Sequence, residues 1–464
     1  MASTREQAEA YSYANRRMST SILRGADEAR LDPRRRLNRA LGSGVAVGVL
    51  AVAGFGIAGV LGAGSGPALP DRGVVVVGSS GDPYVVRDGV VHPALNLASA
   101  LLVGGGEVTE IRQETLDGAP RGLPVGIPGA PDALPGAGDL VDDDWTLCAT
   151  PSETGGKPTQ TALYVSVPEA GPEKRTRGTA VLVEADEALW LLAEGRRYAL
   201  EPAIRDMLNL PVEPVPLPRE VIAAVPEGPE IAIPATGPGS GERPGTDIPF
   251  PARVGDVAHT ESGGPGRRQY FAVRPDGLVP VTELVHTLLA GDAQDHEITV
   301  ADAAGAPHSD ERPPGDRAWP EEVPEAAELE RDQPVCVSTP PGGAADDTPW
   351  QATVHLPPAM PEPAEVQAVT SSNGAPLGLL DRIYVPPGAG AVVRSTASGG
   401  SGGTYTLVTD GGTAYRFTQP DAVVRLGYTP RDTPSVPRAY VDLLPAGPVL
   451  DPQAASREQR GEDA

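Results

Sequence analysis

Cysteine, lysine and aromatic residues are all scarce in this chain. Its 464 residues include only Cys148 and Cys336, only Lys157 and Lys174, and 4% aromatics. Neither cysteine has a second cysteine or a histidine at ligand spacing, which argues against a zinc-finger type of site. The basic residues are otherwise arginine, and the Arg, Ala, Gly and Pro bias reads as the background of a GC-rich genome. Positive charge is short overall: 37 basic side chains face 62 acidic ones, a net −25. Phosphate backbones require clustered Lys and Arg, so no nucleic acid is expected as the principal partner. Long breaker-free stretches are few as well. With 56 glycines and 52 prolines, long helices and coiled coils are excluded as the main architecture, and one continuous globule is disfavoured. The 40% apolar content is still too high for full disorder. The length predicts two to four folding units.

The charge that is present is unevenly spread. Residues 1–40 hold nine arginines against five carboxylates, a cationic arm ahead of an acidic remainder. No charge occurs from Ala40 to Pro70, and residues 41–61 read LGSGVAVGVLAVAGFGIAGVL. At about 1.5 Å per residue, this segment is roughly 30 Å long as a helix, enough for a bilayer core. A buried soluble helix of this length would normally show a polar face. A cleavable signal would not carry 40 residues ahead of a long apolar region. A transmembrane helix over 41–64 is therefore expected. Arg34, Arg35, Arg36 and Arg39 precede it and only Arg72 closely follows. The positive-inside rule then keeps arm 1–40 cytoplasmic and places the acidic bulk outside the plasma membrane, in a single pass. Arg16 and Arg17 could meet anionic lipid or a cytoplasmic partner.

Both cysteines lie beyond the span, in an oxidising compartment, where an even count reads as a disulfide. Closing so long a loop would stabilise the fold by up to about 5 kcal/mol in the chain-entropy view. Two buried free thiols are the alternative.

Self-comparison yields four segments with one order of elements: apolar strand, polar turn, second extended stretch, proline, short amphipathic helix. They are residues 73–103, 178–210, 259–292 (the matching string being 268–292) and 403–428. The expected strands are Val74–Val77, Ala180–Val183, Tyr270–Val273 and Thr404–Val408. Gly78–Gly81, Arg274–Gly277 and Asp410–Gly412 serve as turns. Pro93, Pro202, Pro280 and Pro420 are read as opening the helices, and Gly427 as closing the last. Two further β-rich blocks, 143–167 and 333–394, each carry a cysteine on the first strand of a hairpin. Joining them gives the order unit, hairpin, unit, unit, hairpin, unit, which has an approximate two-fold. The fold class expected is α+β: an elongated ectodomain with four small repeats around a disulfide-linked central sheet. Residues 104–139, 211–251 and 307–334 read as linkers. The tail 429–464 reads as Pro-rich, with Ala439–Leu444 as a docking strand.

The sequence singles out no catalytic, cofactor-binding or metal-binding residue. Gly155-Gly156-Lys157 lacks the upstream glycine of a phosphate loop and is followed by Pro158. His92, His259, His286, His296, His308 and His355 are scattered, with no HxxxH spacing. Asp142-Asp143-Asp144 reads as a solvated acidic run. No GxSxG is read, and no serine stands out as a nucleophile.

Several strings taken together resemble one family. REQAEAYSYANRRMSTSIL before the arginine cluster and span, HPALNLASALLV after it, and RIYVPPGAGAVV near the end are similar to the EccB family. These are membrane-anchored B subunits of the type VII (ESX) secretion system of actinobacteria. The resemblance covers nearly the whole chain. It implies a structural core subunit supporting export of WXG-motif proteins. It also implies partnership with the EccC motor ATPase, EccD, EccE and a mycosin protease, and self-association of the ectodomain. The family's ectodomain resembles a phage-lysin wall-binding subunit, which implies peptidoglycan contact. Some members are described as ATP hydrolases. ATP as a cofactor thus rests on resemblance alone, and an extracytoplasmic ATP hydrolase or a cell-wall-binding module stands as the alternative.

Overall fold

The computed structural model describes residues 7–15, 18, 68–151, 160–166, 179–260, 268–330, 332–342, 350–361, 379–397 and 402–460. The expected span 41–64 and most of the arm lie outside these. No described helix is long and apolar enough to cross a membrane. The chain divides into two units, residues 1–69 with 110–118, and residues 70–109 with 119–464. In the first, residues 7–15 are helical, and Gln113–Asp117 forms a short helix. The second is a mixed α+β body built on five sheets.

Four of the five sheets are small and share one strand order. Each has three consecutive strands in a meander, which we denote a, b and c. The chain then forms a short helix and returns with a fourth strand, d, beside strand a, giving the order c-b-a-d. In the first sheet strands a to d are Arg72–Val77, Pro83–Arg87, Val90–Pro93 and Val108–Ile111. In the second they are Thr179–Ala185, Ala188–Ala193, Arg196–Leu200 and Val215–Pro216. In the third they are Val257–Thr260, Tyr270–Arg274, Gly277–Val281 and Asp295–Ile298. In the fourth they are Gly390–Thr396, Thr404–Thr409, Ala414–Arg416 and Ser435–Pro437. Asp88-Gly89 and Glu194-Gly195 make tight b–c turns, all four residues at φ between 48° and 77°. These are positive-φ positions that Asp and Gly tolerate at low cost.

The meander corrects the sequence reading at several points. Tyr270–Val273 and Thr404–Val408 are second strands, whereas Val74–Val77 and Ala180–Val183 are first strands. Strand a of the third and fourth sheets was missed because a longer insertion separates it from strand b. Gly390–Thr396, read as an extension of the second cysteine hairpin, pairs instead in the fourth sheet. Pro202 and Pro420 do open helices at the first turn. Pro93 and Pro280 do not. They sit in strand c, opposite Tyr84 and Phe271, and their helices are capped by Asn96 and Thr282. Strand c is outermost of the four, where a residue without an N–H is tolerated. Gly427, at φ 88°, does follow the Pro420–Arg425 helix. Ala439–Leu444 is not a strand, since Arg438–Val441 is helical.

The expected linkers and tail also carry structure. After strand d and a second short helix, the chain runs back along strand c in all four sheets. Pro120, Pro226, Pro307 and Pro445 each accept a backbone hydrogen bond from strand c, from Val91, Arg197, Leu278 and Ala414. Two residues on, Gly122, Gly228, Ser309 and Gly447 each donate one back to the same strand residue, every bond being 2.8–2.9 Å. An open row of strand-c groups is thereby covered, which removes a site for unwanted pairing. The three glycines pack beneath the rings of His92, Tyr198 and Tyr415, and a Cβ on any of them would fall under 3.0 Å from the ring.

The fifth sheet holds the cysteines. Its strand order is Thr353–His355, Val335–Thr339, Trp145–Ala149, Thr161–Val165, Arg382–Tyr384. One face joins the second and fourth small sheets in a common core, with Trp145, Leu147 and Leu163 against Val183, Leu192, Val393, Val408 and Tyr440. The second sheet's opposite face shares a core with the third, Leu182 and Tyr198 meeting Val257 and Val279. The fourth sheet's opposite face shares one with the first, Leu407 and Val423 meeting Val74 and Leu102. Sheets two and four are therefore buried on both faces.

Candidate functional site

Cys148 and Cys336 stand directly opposite each other on adjacent antiparallel strands. They form a disulfide across 188 residues of chain, with Cα atoms 4.0 Å apart. They are buried on the sheet face away from Trp145, in a small cluster with Ala162, Tyr164 and Tyr384. Beside them Thr146 and Ser338 share a 2.7 Å hydroxyl hydrogen bond. The staple thus ties the two hairpins into one sheet, as the even cysteine count and the likeness of the two hairpins suggested.

The richest polar geometry belongs to the third sheet. His259 lies on strand a, Tyr270 opposite it on strand b, and Asp295 at the start of strand d. The helix Glu283–Ala290 packs across strands a and b. Thr282 caps that helix and fixes its first turn, and His286 faces the sheet from the next turn. Asp295 Oδ1 accepts from His259 Nδ1 at 3.0 Å and from His286 Nε2 at 3.1 Å. The two imidazoles meet edge to face at 5.6 Å, and the Tyr270 ring lies 4.8 Å from His286. Tyr270 Oη donates to Glu283 at 2.9 Å.

Burial lowers the His286 pKa, and the nearby Asp295 carboxylate only partly opposes it. Burial pushes Asp295 the other way, but the hydrogen bonds from His259 and His286 outweigh it and hold the carboxyl below its ordinary value. The result is a carboxylate between two imidazoles, His286 being neutral at neutral pH. Burial, and then the Glu283 carboxylate, raise the Tyr270 phenol. An open cleft of about 1020 Å³ borders the cluster, lined by Arg268, Tyr270, Glu283, His308, Glu321 and Glu322. Its mixed lining suits a polar or charged surface better than an apolar ligand.

Scattered in sequence, four of the six histidines therefore gather at the third sheet: His259, His286, His296 and His308, the last on the segment that covers strand c. His296 pairs with Asp256 at 3.0 Å. His92 sits over Gly122 with Nδ1 2.9 Å from the Leu123 carbonyl oxygen. No spacing rule finds His259, His286 and Asp295, because they come from three elements. Asp142 and Asp143 are exposed, and Asp143 accepts from the Ser166 hydroxyl. The string Gly399-Gly400-Ser401-Gly402-Gly403 does have GxSxG spacing. Gly399 to Ser401 lie outside the described residues, and the strands on either side pair antiparallel, whereas a nucleophile elbow lies between a strand and a helix.

Comparisons with known proteins agree with this architecture. Residues 1–461 match the family described as type VII secretion system ESX-1, transport TM domain B. The chain is 29% identical to the ESX-3 secretion system ATPase EccB3 of Mycobacterium tuberculosis, over 96% of this chain and 88% of that protein. It is 27% identical to the EccB3 of Mycolicibacterium smegmatis, over 96% and 89%. Among solved structures, the EccB3 dimer from the ESX-3 core complex superposes with a TM-score of 0.65 at 25% identity, covering 83% of this chain and 100% of that one. A chain of an intact ESX-5 inner membrane complex gives 0.64 at 25% identity, covering 99% and 96%. The match over nearly the whole length, with the same fold, shows that this chain belongs to the EccB family and is a core component of the type VII secretion system.

Proposed function

We propose that the chain is a structural, single-pass subunit of an ESX membrane complex that supports export of WXG-motif proteins. The observation that carries this is the match of residues 1–461 to one secretion-system family. In this reading residues 41–64 cross the plasma membrane, the arginine-rich arm faces the cytoplasm, and the five-sheet body lies outside. The four c-b-a-d sheets are four copies of one unit around the stapled sheet. EccC-type, EccD and EccE subunits and a mycosin protease are the partners, and a second copy of the chain is a further one. The related EccB3 structure is that of a dimer, which supports self-association. The test is a pull-down through a C-terminal tag after mild solubilisation, with native mass measurement. Co-purifying membrane subunits are expected, and a lone monomer without them would refute the proposal.

The EccB3 relatives are named as ATPases, which supports a second reading as a nucleotide hydrolase. Turnover by the purified full-length chain, measured against a heat-killed control, decides it. Activity no higher than the control removes that reading.

A further inference from the structure

We propose that His259, His286 and Asp295 bind one first-row divalent cation of the Zn²⁺ class on the third sheet. The three donor atoms, His259 Nδ1, His286 Nε2 and an Asp295 carboxylate oxygen, all lie within 4.8 Å of one another. A tetrahedral Zn²⁺ with bonds of about 2.0–2.1 Å sets its ligand atoms roughly 3.3–3.4 Å apart. Two of the three edges here, 3.0 and 3.1 Å, need to open by only a few tenths of an ångström. Two imidazole nitrogens and one carboxylate oxygen are a donor set suited to Zn²⁺ and its neighbours rather than to Ca²⁺ or Mg²⁺, which prefer oxygen alone.

The arrangement around the donors matches a metal site better than a plain ion pair. On the same sheet His296 and Asp256 show what a pair looks like, one imidazole on one carboxylate. At Asp295 two imidazoles from different elements converge on a single oxygen. Tyr270 buttresses His286 and is itself held by Glu283, the kind of outer support that keeps a ligand ring in place. Three protein ligands leave a fourth position, and the Asp295 side chain is 36% exposed, so water can reach it. Glu297 also stands in register opposite His259 on the neighbouring strand.

When the cation binds, each ring proton now shared with Asp295 moves to the other nitrogen of its own imidazole, and the carboxylate lone pair turns to the metal. No proton is lost and no co-reactant is needed. The cation would join strand a, strand d and the helix by bonds in place of hydrogen bonds.

The experiment uses the full-length chain in detergent, purified by a tag without histidine and stripped with a chelator. Equilibrium dialysis against Zn²⁺ is expected to give one ion per chain. Asp295→Asn keeps the shape and the hydrogen-bonding capacity, and should weaken binding by at least about 10-fold, as should His286→Ala. His296→Ala should bind as the parent does. Zn²⁺ should raise the melting temperature of the parent and not that of Asp295→Asn. No stoichiometric binding by the parent, or undiminished binding by a folded Asp295→Asn, overturns the proposal.

Discussion

The third small sheet differs from the other three in how its covering segment is held. In the first, second and fourth sheets a glycine slides under a ring on strand c: Gly122 under His92, Gly228 under Tyr198, Gly447 under Tyr415. In the third sheet the backbone hydrogen bonds are the same, but Ser309 stands where the glycine would be. The strand-c residue in the ring position is Val279. Among the described residues, the third sheet alone brings two imidazoles onto one carboxylate. It also caps both of its helices with threonine, Thr282 and Thr299, the latter in a reciprocal box with Asp302. One backbone topology thus tolerates two ways of fixing its periphery, ring on glycine or polar clasp. The backbone bonds common to all four are what define the unit.

The largest expected effect lies outside this contrast and tests what all four sheets lean on. Replacing Cys148 and Cys336 together with alanine should destabilise the chain by about 2–5 kcal/mol, read by chemical denaturation. The second and fourth sheets, which share a core with the stapled sheet, should lose hydrogen-exchange protection before the first and third. Uniform loss across all four would show that the contrast between sheets has no thermodynamic counterpart.

Gly228→Ala strikes the ring-on-glycine arrangement directly. The new methyl meets the buried Tyr198 ring, and displacing it should cost about 1–3 kcal/mol by overpacking. Ser309→Gly places the same residue type in the third sheet, where no ring waits, and should change stability by less. A Gly228→Ala variant as stable as Ser309→Gly would remove the distinction between the sheets.

The apolar patterning, the two hairpins and the cysteine pairing were legible in the sequence, because each is written in short contiguous strings. The Pro-x-Gly strings Pro120–Gly122, Pro226–Gly228 and Pro445–Gly447 were equally visible, and they mark where the chain covers strand c. They were hidden by composition, since in a chain so rich in proline and glycine such strings look like linker. The His259, His286 and Asp295 cluster was not legible at all. Its members lie 27 and 9 residues apart along the chain, and only the pairing of strand d with strand a brings them together. The helix-opening prolines were half right for a related reason: a proline before an apolar stretch fits an edge strand as well as a helix start.

Thr299→Ala probes the polar clasp. Thr299 Oγ1 accepts from the Asp302 backbone N–H, and Asp302 accepts from the Thr299 backbone N–H. Losing the cap should cost about 1 kcal/mol. Proline opens the Pro202–Met207 helix with no side-chain cap. Pro202→Ala should therefore change stability by less, since that helix start rests on a preset φ and not on a hydrogen bond.

The smallest effect at neutral pH is also the most selective. Burial, with Glu194 adding to it, pushes the Tyr198 phenol up to about 12, and its hydroxyl donates to the Ala318 carbonyl oxygen at 2.9 Å. In the unfolded chain the phenol would ionise near its usual value of about 10. Between these two values the unfolded state releases the proton and the folded state keeps it, so stability falls as pH rises through that window. Tyr440 and Tyr428 are raised in the same direction by burial, so the whole chain should weaken in alkali. Tyr198→Phe should flatten part of that slope in melting curves taken on either side of pH 10, while lowering stability modestly at pH 7 through the lost hydrogen bond. Because the third sheet carries valine at this position, hydrogen exchange should show its strand c less affected by alkali than strand c of the second sheet. Equal sensitivity in the two strands would mean that the shared core between these sheets, and not the ring on its glycine, sets their stability.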